Sequence, residues 1–157
     1  MKTVSQSFTP LVDSLLSIFF PCTCRLCHQL VQESAHSVVC RQCWEQLKEI
    51  EEPFCAVCGY PFISRNIPDG SLCGSCRHRL FAFDAARSFS PFTDPLKEII
   101  HQFKYCGHTS LARPLARLLE RVCRQFPEPL HADVIIPVPL YRKRERERGF
   151  NQAADLA

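Results

Sequence analysis

No run of apolar residues in these 157 is long enough to cross a bilayer as a helix, which takes roughly 20. The nearest candidate, residues 11–20 (Leu-Val-Asp-Ser-Leu-Leu-Ser-Ile-Phe-Phe), is too short and is interrupted by Asp13. A secretory signal is lacking as well. Lys2 is the only basic residue ahead of that run, and Pro21 stands where small residues would prepare cleavage. What the segment does have is period: Leu11, Val12, Leu15, Leu16 and Phe19 fall on one helical face. An amphipathic helix packed on the protein's own core is expected, ahead of a membrane-surface role. Without an export signal the expected compartment is the reducing cytoplasm, where disulfides do not persist.

A strong charge of one sign is also missing. The formal net charge is only +3. Residues 142–148, Arg-Lys-Arg-Glu-Arg-Glu-Arg, carry five basic against two acidic side chains, which equals that whole excess. Global basicity therefore does not argue for nucleic acid, although one segment can hold a concentrated anion.

Cysteine is what the chain has in abundance: eleven in all. Eight of them form the pairs Cys24/Cys27, Cys40/Cys43, Cys55/Cys58 and Cys73/Cys76, each spaced Cys-x-x-Cys. That spacing lets one tight turn aim two sulfurs at one tetrahedral ion. Twelve residues separate the first two pairs and fourteen the last two, room in each gap for a short hairpin. Two structural zinc ions are expected, each with four thiolates and no open position for chemistry. Such sites replace a hydrophobic core that so short a segment cannot build. Two such sites would bring about −4 to the folded charge, leaving the protein near neutral.

Joining neighbouring pairs is the simplest assignment; a cross-brace, first pair with third and second with fourth, satisfies the spacing too. Iron–sulfur ligation also uses four cysteines, but the ribbon-like gaps favour zinc. Gly59 follows Cys58 where a knuckle calls for a positive φ, and His28 stands at the equivalent place after Cys27. Cys22 is close enough to compete as a ligand. Cys106 and Cys123 read as ordinary buried thiols, and the six histidines as structural or exposed.

The cysteine pattern stops near residue 80. Residues 83–89 alternate weakly and suggest a strand. Residues 94–105 predict a helix, with Asp94 as cap, Pro95 at its first position, a stripe of Leu96, Ile99, Ile100 and Phe103, and Gly107 as its stop. A second helix is expected over 110–124, with Leu111, Leu115, Leu118, Leu119 and Val122 inward and Pro114 tolerated in the first turn. Residues 133–140, Asp-Val-Ile-Ile-Pro-Val-Pro-Leu, read as a buried strand, followed by a basic loop and a helix opening at Gly149. Helix, strand, basic loop and helix make the opening of an α/β fold, in which ligands bind beyond the strand ends.

These motifs together resemble the ComF family of competence-protein-F-like proteins. The resemblance rests on the four Cys-x-x-Cys pairs, on Leu96-x-x-x-Ile100 with Phe103-Lys104-Tyr105 and Gly107, on Ile136-Pro-Val-Pro-Leu140, and on Arg146-Glu-Arg-Gly-Phe-Asn-Gln152. It covers about Leu11 to Ala157. It implies a small zinc-ribbon module over residues 1–80, followed over residues 81–157 by the N-terminal part of an α/β type I phosphoribosyltransferase-like fold. It further implies phosphoribosyl pyrophosphate or a related phosphorylated nucleotide as ligand. A link to DNA uptake follows too, with single-stranded DNA or the uptake machinery as partners. Arg144, Arg146, Arg148, Gly149, Asn151 and Gln152 would then form a pyrophosphate-type anion loop.

One departure limits the expectation. The phosphoribosyltransferase signature is a pair of acidic residues followed by a Thr- and Gly-rich phosphate loop, and no such stretch occurs in the 157 residues. The chain reads as the front part of a ComF protein, and catalysis by it alone is not expected. The reading from a different class is a zinc-ribbon nucleic-acid-binding protein without enzymatic activity. Glu145 and Glu147 weaken the basic field for that role, and no aromatics are interleaved for base stacking. The plainest reading of residues 142–148 is a solvated, salt-bridged connection.

Overall fold

The computed structural model describes residues 22–31, 37–126 and 132–157; the helix expected over 11–20 lies outside them. The first half is one motif written twice. In the first copy the amide of His28 donates to Cys24 O at 2.9 Å, that of Cys24 to Gln29 O at 2.8 Å and that of Val31 to Cys22 O at 2.8 Å. In the second, Gly59 donates to Cys55 O at 2.9 Å, Cys55 to Tyr60 O at 2.9 Å and Phe62 to Pro53 O at 2.9 Å. Each turn is closed by an isolated antiparallel bridge, Thr23 with Leu30 and Phe54 with Pro61. The expected left-handed residue is present in both, at φ 59° for His28 and 67° for Gly59. After each turn the chain returns to a short helix that starts beside the second cysteine pair: α1 (Arg41–Glu45) and α2 (Gly74–Arg77).

Helix α3 (Leu96–Tyr105) buries Ile99 and Phe103. Pro95 is the residue before the helix and not its first, so Asp94 lies one position too far back to reach the first-turn amides and does not cap. Gly107, at φ 71°, ends this segment as expected. A 3₁₀ turn (Thr109–Leu111) leads into α4 (Ala112–Gln125), whose Pro114 falls among the first amides that have no helical acceptor. Leu115 and Val122 are buried, whereas Leu119, expected inward, is 41% exposed.

The core sits where the first ribbon meets the helices. Cys24, Val39 and Cys43 pack with Ile99, Phe103, Leu111 and Leu115, with Trp44 and Phe150 against the edge.

Several expectations for the second half need correction. Residues 83–89 and 133–140 form no strand; among the described residues there are only the two isolated bridges. A strand needs a ladder of backbone partners; residues 83–89 make only single bonds to Val57 and Ile50, and residues 133–140 pair with no segment among the described residues. Val134, Ile135, Ile136 and Val138 are instead 67–79% exposed. The basic loop is helix α5 (Arg142–Arg148), which Gly149 ends at φ 80°. The helix expected to open at Gly149 is α6 (Gln152–Leu156), begun by Asn151. Cys106, expected to be buried, is exposed at the end of α3, and Cys123 is half-buried on the flank of α4.

Candidate functional site

Sequence spacing left the zinc pairing open, and the fold decides it. Cys24, Cys27, Cys40 and Cys43 bring their four Sγ atoms within 4.8 Å of one another, and so do Cys55, Cys58, Cys73 and Cys76. Neighbouring pairs therefore join, and the cross-brace is excluded. The Sγ–Sγ distances are 3.8 Å for Cys24–Cys43 and 3.6 Å for both Cys27–Cys40 and Cys58–Cys73. A tetrahedron with Zn–S bonds of 2.3 Å has an edge of about 3.8 Å. The donor sets thus fit one zinc ion each and leave no room for a multi-iron cluster. Cys22 is outside both sets.

Backbone amides prepare one sulfur in each site. Cys24 Sγ accepts from Leu26 N and Cys40 N, both at 3.4 Å, and Cys55 Sγ accepts from Cys73 N at 3.3 Å. Burial alone would raise both thiols. The amide donors, including those of Cys27 and Cys58, outweigh it and hold Cys24 and Cys55 down at about 6, against an ordinary 9.0. Burial and hydrogen bonds from the other three thiols push Cys76 up to about 12 and raise Cys43 as well. Cys24 and Cys55 are therefore the sulfurs each site holds ionised first.

The pH dependence follows from those two depressed values. Stabilisation from the Cys24 and Cys55 thiolates is full above 9.0 and is lost as pH falls through about 6. Protons compete with zinc for these thiolates, so both sites should retain zinc at neutral pH and release it on acidification, as read by a chromogenic chelator across a pH series. Release of either ion above neutral would contradict this.

The six residues expected to hold an anion are not all brought together. Arg148 Nη1 donates to Gln152 Oε1 at 3.1 Å, and its guanidinium lies over the Tyr105 ring at 4.9 Å. Asn151 Oδ1 accepts from Ala153 N at 3.0 Å, and its Nδ2 donates to Val138 O at 3.4 Å. Gln152 is buried, and its Nε2 has no hydrogen-bond partner. Arg148, Asn151 and Gln152 thus gather at one place, and a side chain built on Gly149 would meet nothing within 4 Å. Arg144 instead faces solvent beside Glu147 at 3.7 Å, and Arg146 bonds Arg142 O at 3.4 Å. Residues two apart on a helix point to different sides, so Arg146 diverges from Arg144 and Arg148. Tyr105, on which Arg148 rests, escaped sequence reasoning as a site residue, although it closes the Phe-Lys-Tyr motif.

Comparison with known proteins agrees with the cysteine geometry. Residues 15–77 match the double zinc ribbon domain family. The two four-cysteine sites are those of a double zinc ribbon with two structural zinc ions. The chain is also 31% identical over 136 residues to DNA utilization protein YhgH of Salmonella typhimurium, covering 85% of this chain and 57% of that protein. It is 32% identical over 122 residues to Competence protein F of Haemophilus influenzae, covering 76% of this chain and 51% of the relative. Competence protein ComFC of Bacillus subtilis is 30% identical over 125 residues, with 76% and 50% covered. The resemblance drawn from the motifs is thus found again in similarity over 76–85% of the chain. The chain spans little more than half the length of these relatives. No solved structure matches it. No helix among the described residues is long and apolar enough to cross a membrane.

Proposed function

We propose that this ComF-like chain is cytoplasmic, serves DNA uptake or utilisation, and carries one part of a phosphoribosyltransferase-like anion site. The observation behind the site is the folding of the Arg-Gly-Phe-Asn-Gln motif back onto the Pro-Val-Pro-Leu segment, through Asn151 Nδ2 and Val138 O. Arg148 supplies a planar set of donors suited to phosphate oxygens, and its stacking on Tyr105 aims it. Gly149 leaves the backbone open to close approach. Asn151 and Gln152 hold the arginine and the turn, and Arg144 adds positive charge one helical turn earlier. The ligand is pyrophosphate or phosphoribosyl pyrophosphate. The double zinc ribbon holds the fold and does no chemistry. The acidic pair and Thr-Gly loop that would grip the ribose and its 5′-phosphate do not occur in these residues, so the 157 residues bind weakly and transfer nothing.

Calorimetry with pyrophosphate and phosphoribosyl pyrophosphate tests this. Binding should be weak, and Arg148→Ala should weaken it about tenfold, the effect of losing a charged hydrogen bond. Equal affinity in both proteins would remove Arg148 from the site, and phosphoribosyl transfer to any base would overturn the incompleteness.

One observation favours a second reading, direct nucleic-acid binding. Four of the five basic residues of α5 are exposed, and several relatives are called DNA utilization proteins. A steep salt dependence of DNA affinity, abolished by neutralising Arg142, Lys143 and Arg144, would select it.

A further inference from the structure

Residues 86 and 87 are attached along the second zinc knuckle. The Ala86 amide donates to Val57 O at 2.8 Å, and a methyl at Gly59 would come within 2.8 Å of Ala86 O. Arg87 reaches further into the same turn: Nη2 donates to Ala56 O at 2.9 Å and Nη1 to Val57 O at 3.2 Å. Ala56 and Val57 lie between the ligands Cys55 and Cys58, so their carbonyls belong to the loop that wraps the metal. The other side of the guanidinium is held by two rings, Phe54 at 5.6 Å and Phe126 at 5.1 Å. Those rings meet edge to face at 5.4 Å. Phe126 is the residue that follows α4, and Phe54 directly precedes Cys55.

We infer that Arg87 and Phe126 couple the second zinc site to the end of α4, so that this helix end controls how firmly that zinc is held. Three independent features converge on it: two carbonyls of the ligand turn, a glycine with no room for a side chain, and a cation held by two rings. Each has its own alternative explanation, but only together do they make the knuckle loop and the helix end one packed unit. A zinc ion leaves when its knuckle opens. Here opening means breaking the Arg87 bonds and parting Phe54 from Phe126. Among the described residues the first site has no counterpart to this clamp; its cysteines Cys24 and Cys43 are packed directly into the core. The two ions should therefore respond differently to the same change at residue 126. Arg87 and Phe126 are positioning residues; neither touches the metal.

The test measures zinc release to a chromogenic chelator from the full zinc-loaded chain, with Cys76→Ser identifying the phase that belongs to the second site. Phe126→Ala and Arg87→Ala should each speed that phase about tenfold, within the range of coupling between contacting residues. Both should leave the first-site phase unchanged. The double variant should be little faster than either single one, because both remove the same clamp. Arg87→Lys should behave like Arg87→Ala, since a compact ammonium lacks the planar fork that reaches two carbonyls while facing both rings. Arg124→Ala, whose partner is Glu120 on the same helix, is the control and should change neither phase. Should Phe126→Ala fail to fold, Phe126→Leu replaces it, with a smaller acceleration of the same phase alone. Unchanged release in these variants would overturn the inference. Equal acceleration of both phases would overturn it as well, because that is general loosening.

Discussion

Cys76→Ser should reduce bound zinc from two ions per chain to one and melt the second ribbon while sparing the first. The two donor sets share no residue. Structural zinc contributes on the order of 10–16 kcal/mol to folding such modules, far more than this ribbon's own contacts supply. Around the second site only Cys55 and Cys76 are buried ligands, and single hydrogen bonds and one isolated bridge, rather than a packed core, hold the turn. Trp44 belongs to α1 and packs on the first core, so its fluorescence should keep its native character. Metal analysis with Trp44 emission decides the matter. Two ions retained would contradict the ligand assignment. Loss of both would show that the ribbons fold as one unit. Cys106→Ser is the control and should cost little, because its side chain is exposed and holds no metal.

The second large effect lies in the core. Phe103 is 1% exposed, packs with Ile99 and Leu115, and meets the Phe150 ring at 5.5 Å. Phe103→Ala should destabilise the chain by about 3–5 kcal/mol, the transfer loss plus the cavity left behind. Cys24 and Cys43 belong to the same cluster, so the loss should reach the first ribbon. Denaturant unfolding followed by helical circular dichroism and by Trp44 emission should show both signals moving together. A loss below about 1 kcal/mol would mean that the site collapses without a cavity, and separate shifts would mean that ribbon and helices do not share this core.

Much of this was legible because it depends on local spacing. Cys-x-x-Cys repeats announce metal turns, and residues 28 and 59 had to be left-handed for those turns to close. The stripes Ile99–Phe103 and Leu111–Leu115–Val122 announce helices with one buried face. Helix α5 was missed for a reason that can be named. Its string of charges follows two prolines and resembles a solvated loop, yet oppositely charged residues three and four apart, such as Arg144 and Glu147, are also a helix signal. Leu119 was misplaced because a helical stripe predicts a side and not how far the neighbour extends to cover it.

Two four-cysteine metal sites, two amphipathic helices after them and a ComF-like set of motifs can be read from the chain alone. These are matters of residue type and of separations of a few positions, which backbone geometry converts directly into structure. Which cysteine pairs share an ion needed the three-dimensional fold, because chain spacing allows two pairings and only distance separates them. It alone left residues 133–140 without a strand partner, because strand formation requires a second segment that local sequence cannot supply. And it alone placed Arg87 against both Phe54 and Phe126, uniting three residues far apart in the chain, because a cation shared by two rings is a contact that only folding creates.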